Sequence, residues 1–167
     1  MLDTIRERLK AVHVLVIDQD ASTVDVLDWA EIRRRAEADT GGQSLTVIDL
    51  ARALRAFANR VGANDRTFTL NDIAVLASVE YARAYNWMGQ GILTPSIRVK
   101  SGRSRHTGPL FSYADAFVAS VCASLRPGRG GTPLPIVRRA AELLRFVLDI
   151  EPTSSCNLPA GSHHQPC

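Results

Sequence analysis

Cysteine is scarce in this chain. There are three in 167 residues, an odd number, and Cys156 and Cys167 both fall in the last dozen positions. That excludes the disulfide framework of a small secreted domain. Long hydrophobic runs are missing as well. The run Val14 to Ile17 is strand-sized, far from the roughly 18–20 apolar residues that span a bilayer. Met1 to Lys10 is charged throughout and does not read as a signal peptide. The expectation is a cytoplasmic protein with no membrane partner. No Gly-rich phosphate loop, G-x-S-x-G or H-E-x-x-H occurs, and His13 and His106 stand isolated. Neither enzymatic chemistry nor a cofactor is expected. Lysine is nearly absent: Lys10 and Lys100 are the only two among 20 basic residues. Arginine is the better fork for phosphate and guanine, although a GC-rich genome produces the same bias.

Apolar residues make up 46% of the chain, enough to build a core for one ordinary domain or two small ones. The net charge of +3 is unevenly spread. Residues 1–66 carry ten basic and eleven acidic side chains, and residues 67–167 carry ten and six. Between Ser96 and Ser112 lie Arg98, Lys100, Arg103, Arg105 and His106 with no acid among them. A local basic stretch on a near-neutral chain points to a phosphate-facing loop.

Along the chain, residues 1–10 read as a short charged helix and Ala11 to Ile17 as a buried strand. Asp18, Asp20 and Ser22 form a polar turn. The apolar spacing from Val24 to Ile32 predicts an amphipathic helix ending near Arg35–Ala38. Thr40-Gly41-Gly42 breaks it, and Ser44 caps a further helix striped by Leu45, Ile48, Leu50, Ala51, Leu54 and Phe57. Val61 to Asp65 is a linker. This divides the chain into residues 1–62, a small helical or α/β segment for dimerisation or partner contact, and residues 67–150. In the second part Thr69 with Asp72 suggests a capping-box start. Leu70 to Leu76 is one short helix, Ala77-Ser78-Val79 a tight turn, and Glu80 to Met88 a second helix closed by Gly89 and Gly91. Ile97–Val99 and Leu110–Phe111 pair as a hairpin, and helices follow over Tyr113–Leu125 and Leu134–Ile150. Residues 151–167, rich in Pro, Ser and Gly, read as a disordered tail.

Two short helices on a tight turn, a basic hairpin and further helix make a mainly α, winged helix-turn-helix pattern. Such a unit places its second helix in the major groove and its hairpin on flanking phosphates. Particular segments resemble the MerR type of this fold. Thr69 to Ala74 looks like the start of its helix-turn-helix, and Val79 to Trp87 fits its second helix. Gly91-Ile92-Leu93-Thr94-Pro95-Ser96 is similar to the family's exit segment. Leu110 to Asp115 resembles the join between wing and third helix, and Thr132 to Ala140 the start of the fourth. The resemblance covers about residues 68–146. It implies a transcription regulator that binds double-stranded promoter DNA as a homodimer.

The residues expected to touch DNA are Tyr81, Arg83, Tyr85 and Asn86 on the second helix and Arg98, Lys100, Arg103 and Arg105 on the wing. Trp87 and Cys122 read as core. Several features depart from the family. Ser78 stands where relatives often have Gly, and Glu80 where they often have Ser or Thr. A carboxylate there favours the helix N-terminus but repels phosphate. No heptad run follows Ile150, so a dimer must use residues 1–60 or the fourth helix. The rival expectation is a protein-interaction module on the same fold, of the chaperone-modulator or antitoxin-like kind. Cys156, His163, His164 and Cys167 carry ligand chemistry for zinc, but C-x6-H-H-x2-C is not a standard zinc spacing, and no metal is expected. Val14 to Asp20 superficially resembles the opening of a response-regulator receiver domain, without room for its remaining strands before residue 67.

Overall fold

The computed structural model describes residues 2–10, 14–38, 45–62, 67–97, 108–126, 131–148 and 150. The described residues form a mixed fold dominated by helix, with seven helices and two small antiparallel sheets. None of these helices is long and apolar enough to cross a membrane.

Helix α1 (Leu2–Lys10) precedes strands β1 (Val14–Asp18) and β2 (Thr23–Leu27), which pair antiparallel through a tight hairpin. The Asp18 carboxylate turns the chain by accepting from the backbone N–H groups of Asp20 and Ala21, both at 2.9 Å. Here the helix predicted from Val24 is corrected, because Thr23–Leu27 is strand and α2 spans only Trp29–Ala38. β-Branched Thr23, Val24 and Val26 suit an extended chain. The helix starts where Asp28 accepts from the Glu31 N–H at 2.7 Å.

A second correction follows the same logic. The helix predicted from Ser44 begins at Leu50, because β3 (Leu45–Asp49) pairs antiparallel with the other side of β1. Ser44 lies outside the described residues; Asp49 supplies the cap to α3 (Leu50–Val61), accepting from the Arg52 N–H at 2.8 Å. The sheet order is β2-β1-β3, and the described part of residues 1–62 is thus α/β. In α3, Leu50, Leu54 and Phe57 are buried, as their helical spacing predicts, whereas Ala51, also expected on that stripe, is exposed.

The remainder is helical around a two-stranded ladder. β4 (Phe68–Thr69), absent from the sequence expectation, pairs antiparallel with β5 (Leu110–Phe111). The predicted partner Ile97 is held by one bridge to Leu110; Val99 lies outside the described residues. Helices α4 (Leu70–Leu76), α5 (Tyr81–Gly89), α6 (Tyr113–Leu125) and α7 (Leu134–Leu148) match the expected order. Thr69 and Asp72 form the expected capping box on α4, and Ser112 and Asp115 form another on α6. The predicted tail, 151–167, lies outside the described residues.

One hydrophobic cluster runs from Leu2 to Leu148, so the two parts of the chain share a core. Helix α7 packs on α6, α1 and β2. Phe57 of α3 meets Tyr113 of α6 edge-on, with ring centroids 5.1 Å apart, and Phe117 at 5.8 Å. Each such fully buried large side chain contributes about 1.5–3 kcal/mol. Helix α3 is therefore pressed directly onto the helix that supports α4.

The α4–α5 turn is tight because Ser78 takes a positive φ of 53°. Glycine adopts that geometry without the Cβ clash that burdens serine. Ser78→Gly is expected to stabilise the fold by about 0.5–1 kcal/mol, the relief of strain less the added freedom of the unfolded chain. The check is a higher urea midpoint with an unchanged slope. A lower midpoint would mean that the serine side chain anchors the turn.

Candidate nucleic-acid interface

The α4–α5 pair is fixed locally before anything packs on it. Thr69 and Asp72 satisfy the first turn of α4, the Thr69 hydroxyl accepting from the Asp72 N–H at 3.2 Å. At the other end Ala77 N–H donates to Ile73 O, Ser78 N–H to Val75 O and Val79 N–H to Ala74 O. Glu80 caps α5 by position only, with no side-chain hydrogen bond to the helix.

Helix α5 then divides by face. Ala84 and Trp87 are buried, as expected for Trp87. Tyr81, Tyr85 and Asn86 are exposed, and the two tyrosines, one turn apart, share a side of the helix. Arg83 is placed differently from its expected groove role. Its Nη2 donates to the Arg126 carbonyl at 2.8 Å, and its guanidinium carbon lies 5.6 Å from the centre of the Trp87 ring. The side chain reaches back to the end of α6. Of the four residues expected on the groove face, the structure brings Tyr81, Tyr85 and Asn86 together at the surface and engages Arg83 behind them.

Arg98, Lys100, Arg103 and Arg105 lie outside the described residues, as do Cys156, His163, His164 and Cys167. The flanks of the basic stretch are described. Ile97 N–H donates to Leu110 O at 3.4 Å, so the chain leaves and returns at one point on the β4–β5 ladder. Among the described residues no group of three or more His, Cys, Asp or Glu is placed to hold a metal. Cys122 is fully buried on α6, and burial pushes its thiol up to about 12. It packs as an inert core residue.

Sequence reasoning missed a buried polar network that fixes this surface. Asp115 accepts through Oδ2 from the Ser112 N–H at 2.8 Å, the Ser112 hydroxyl at 3.0 Å, the Ser96 N–H at 3.2 Å and the Ser96 hydroxyl. It thus ties the residue beside the Ile97 bridge to α6. On α7, buried Arg145 donates to Ile92 O at 2.9 Å and Gly91 O at 3.4 Å, holding the segment that leaves α5. Burial pulls the Arg145 pKa down, and the negative charge of Asp115 opposes that shift. A signal existed: Arg145 occupies a core position of α7, between Ala141 and Leu148 on the apolar stripe.

Two clefts open beside the pair. One, of about 460 Å³, lies between the end of α5 and the start of α7 and is lined by Gln90, Arg138, Arg139 and Glu142 among others. Arg138 is paired there with Glu142 at 3.0 Å. The other, of about 400 Å³, lies behind the α4–α5 turn. No protein-family model matches the chain, and no curated protein or solved structure matches it either.

Proposed function

We propose that the protein binds double-stranded DNA and regulates transcription, through a winged helix-turn-helix of MerR-like type. The observation that carries this reading is the Ile97–Leu110 bridge on the β4–β5 ladder, which leads into α4. In sequence its two residues flank an acid-free stretch holding Arg98, Lys100, Arg103 and Arg105. Helix α5 presents Tyr81, Tyr85 and Asn86 on its outer face. The cations would neutralise phosphates, while the tyrosine hydroxyls and the asparagine amide would meet backbone or base edges. The homodimer implied by the resemblance would be joined through residues 1–62 or α7, where Leu45, Val47 and Phe146 are exposed. A cytoplasmic location belongs to the same proposal.

The test is selection of genomic fragments by the purified protein at physiological salt, followed by a salt titration on the enriched duplex. One enriched inverted repeat is the expected recovery. Arg103→Ala combined with Arg105→Ala is expected to weaken binding to every duplex and to flatten the log–log salt slope by about 2, one counterion per lost phosphate contact. Unchanged affinity and slope would remove the wing from the interface.

A second reading, a protein-interaction module, is favoured by Arg83 and Glu80. With Arg83 engaged behind α5 and the exposed Glu80 carboxylate at its start, the outer face of the helix offers phosphate little positive charge. Recovery of no fragment above background would select that reading.

A further inference from the structure

The cleft behind the α4–α5 turn gathers arginines from three helices or their ends. Arg60 comes to it from the end of α3, Arg83 from α5 and Arg126 from the end of α6, together with Ser78, Ser120 and Ser124. Among the described residues no acidic side chain lines it. Arg60 donates to the Ser120 hydroxyl at 2.8 Å and to Leu76 O at 3.3 Å, and Arg83 donates to Arg126 O at 2.8 Å. These acceptors are neutral: they orient two guanidinium groups without cancelling their charge. The Arg126 side chain makes no hydrogen bond or ion pair among the described residues, although its backbone carbonyl receives Arg83. Arg34, Arg35 and Arg138, by contrast, are matched to carboxylates, in Arg34–Glu31, Arg35–Asp25 and Arg138–Glu142. Three arginines on one concavity offer an entering anion favourable charge and several N–H donors.

We infer that this cleft binds a phosphate-bearing anion, with Arg60, Arg83 and Arg126 as its charge clamp and the Ser78 and Ser120 hydroxyls as further donors. Planar guanidinium forks match tetrahedral phosphate oxygens in geometry as well as charge. At about 400 Å³ the space lies within the range of small-ligand sites and admits a diphosphate group. The phosphate has two possible sources, a free phosphorylated small molecule or the backbone of bound DNA. The inference is independent of the DNA reading, since a chain that binds no DNA can still carry this cleft.

The experiment is calorimetric titration of the full chain with inorganic pyrophosphate at fixed ionic strength. Binding is expected, and Arg126→Ala is expected to weaken it at least about tenfold, the loss of one charge-assisted hydrogen bond. Alanine keeps the backbone carbonyl that Arg83 uses, so the fold should survive. Arg126→Gln serves as the second variant, with the same expected direction. Arg139→Ala, in the other cleft, is expected to leave pyrophosphate affinity unchanged. Repeating the titration with saturating duplex separates the sources. Displacement of pyrophosphate by DNA, with Arg126→Ala weakening both, assigns the phosphate to the duplex backbone. Equal affinity with and without duplex assigns it to a free small anion. The inference is overturned if pyrophosphate does not bind, or if it binds as tightly to folded Arg126→Ala and Arg126→Gln as to the parent chain.

Discussion

Asp115→Ala is expected to destabilise the fold by about 3–5 kcal/mol, the range for removing one partner from a buried charged network. Asp115 is fully buried. Its Oδ2 receives both Ser112 donors, which cap α6, and both Ser96 donors, which fasten the start of the basic stretch. Losing the cap interactions alone would cost about 0.5–2 kcal/mol. The larger part comes from what remains: Ser96 and Ser112 donors facing a hole, and a buried Arg145 without the negative charge that favours its ionised form. Asp115→Asn keeps the shape and an acceptor oxygen while removing the charge, so its loss should be about half as large. Guanidinium unfolding of the three proteins provides the measurement. A loss below about 1 kcal/mol for Asp115→Ala would show that the network adjusts without the carboxylate. Amide exchange adds a local reading: Ile97, which donates to Leu110, should exchange faster in Asp115→Ala well below the unfolding transition.

The elements that were legible are those whose signals are local. Thr69 and Asp72 sit three residues apart and cap one another's ends, so a helix start could be read there without knowing the fold. The same holds for α6, where Ser112 precedes a mainly apolar stretch, Tyr113–Leu125. Strands β2 and β3 were misread because each runs directly into a helix. Val24 and Val26 add to the stripe of α2, and Leu45 and Ile48 to that of α3. Only pairing with β1 on either side shows where the extended segments end. The two-residue β4 carries no period at all, and its partner Phe111 lies over 40 residues away. At the candidate site the exposed tyrosines of α5 followed from helical spacing, whereas the direction of Arg83 depended on a carbonyl 43 residues along the chain. The Arg60–Arg83–Arg126 cleft was hidden for the same reason, its three cations coming from separate helices or their ends.

Trp87→Ala is expected to cost about 3–5 kcal/mol as well, by a different route. The indole is 2% exposed and is the largest side chain seating α5 on the core. Its removal leaves a cavity that the surrounding helices can only partly close. The backbone carbonyl of Trp87 also accepts from Ile92 N–H at 3.0 Å and Leu93 N–H at 3.2 Å, so a shift of α5 would carry the exit segment with it. Above the ring sits the Arg83 guanidinium, a contact worth about 0.5–1 kcal/mol where solvent has partial access. Trp87→Phe separates these contributions because it keeps a ring beneath Arg83 while giving up part of the packing. A double-mutant cycle of Trp87→Ala with Arg83→Ala then measures the contact itself. A coupling of about 0.5–1 kcal/mol identifies Arg83 as a clamp between α5 and α6, and Arg83→Ala should then weaken preferred and random duplexes alike. No coupling, unchanged stability in Arg83→Ala and a loss confined to one preferred duplex would return Arg83 to the groove. The two results exclude each other because an Arg83 side chain directed to the Arg126 carbonyl at the end of α6 does not reach out from the exposed face of α5.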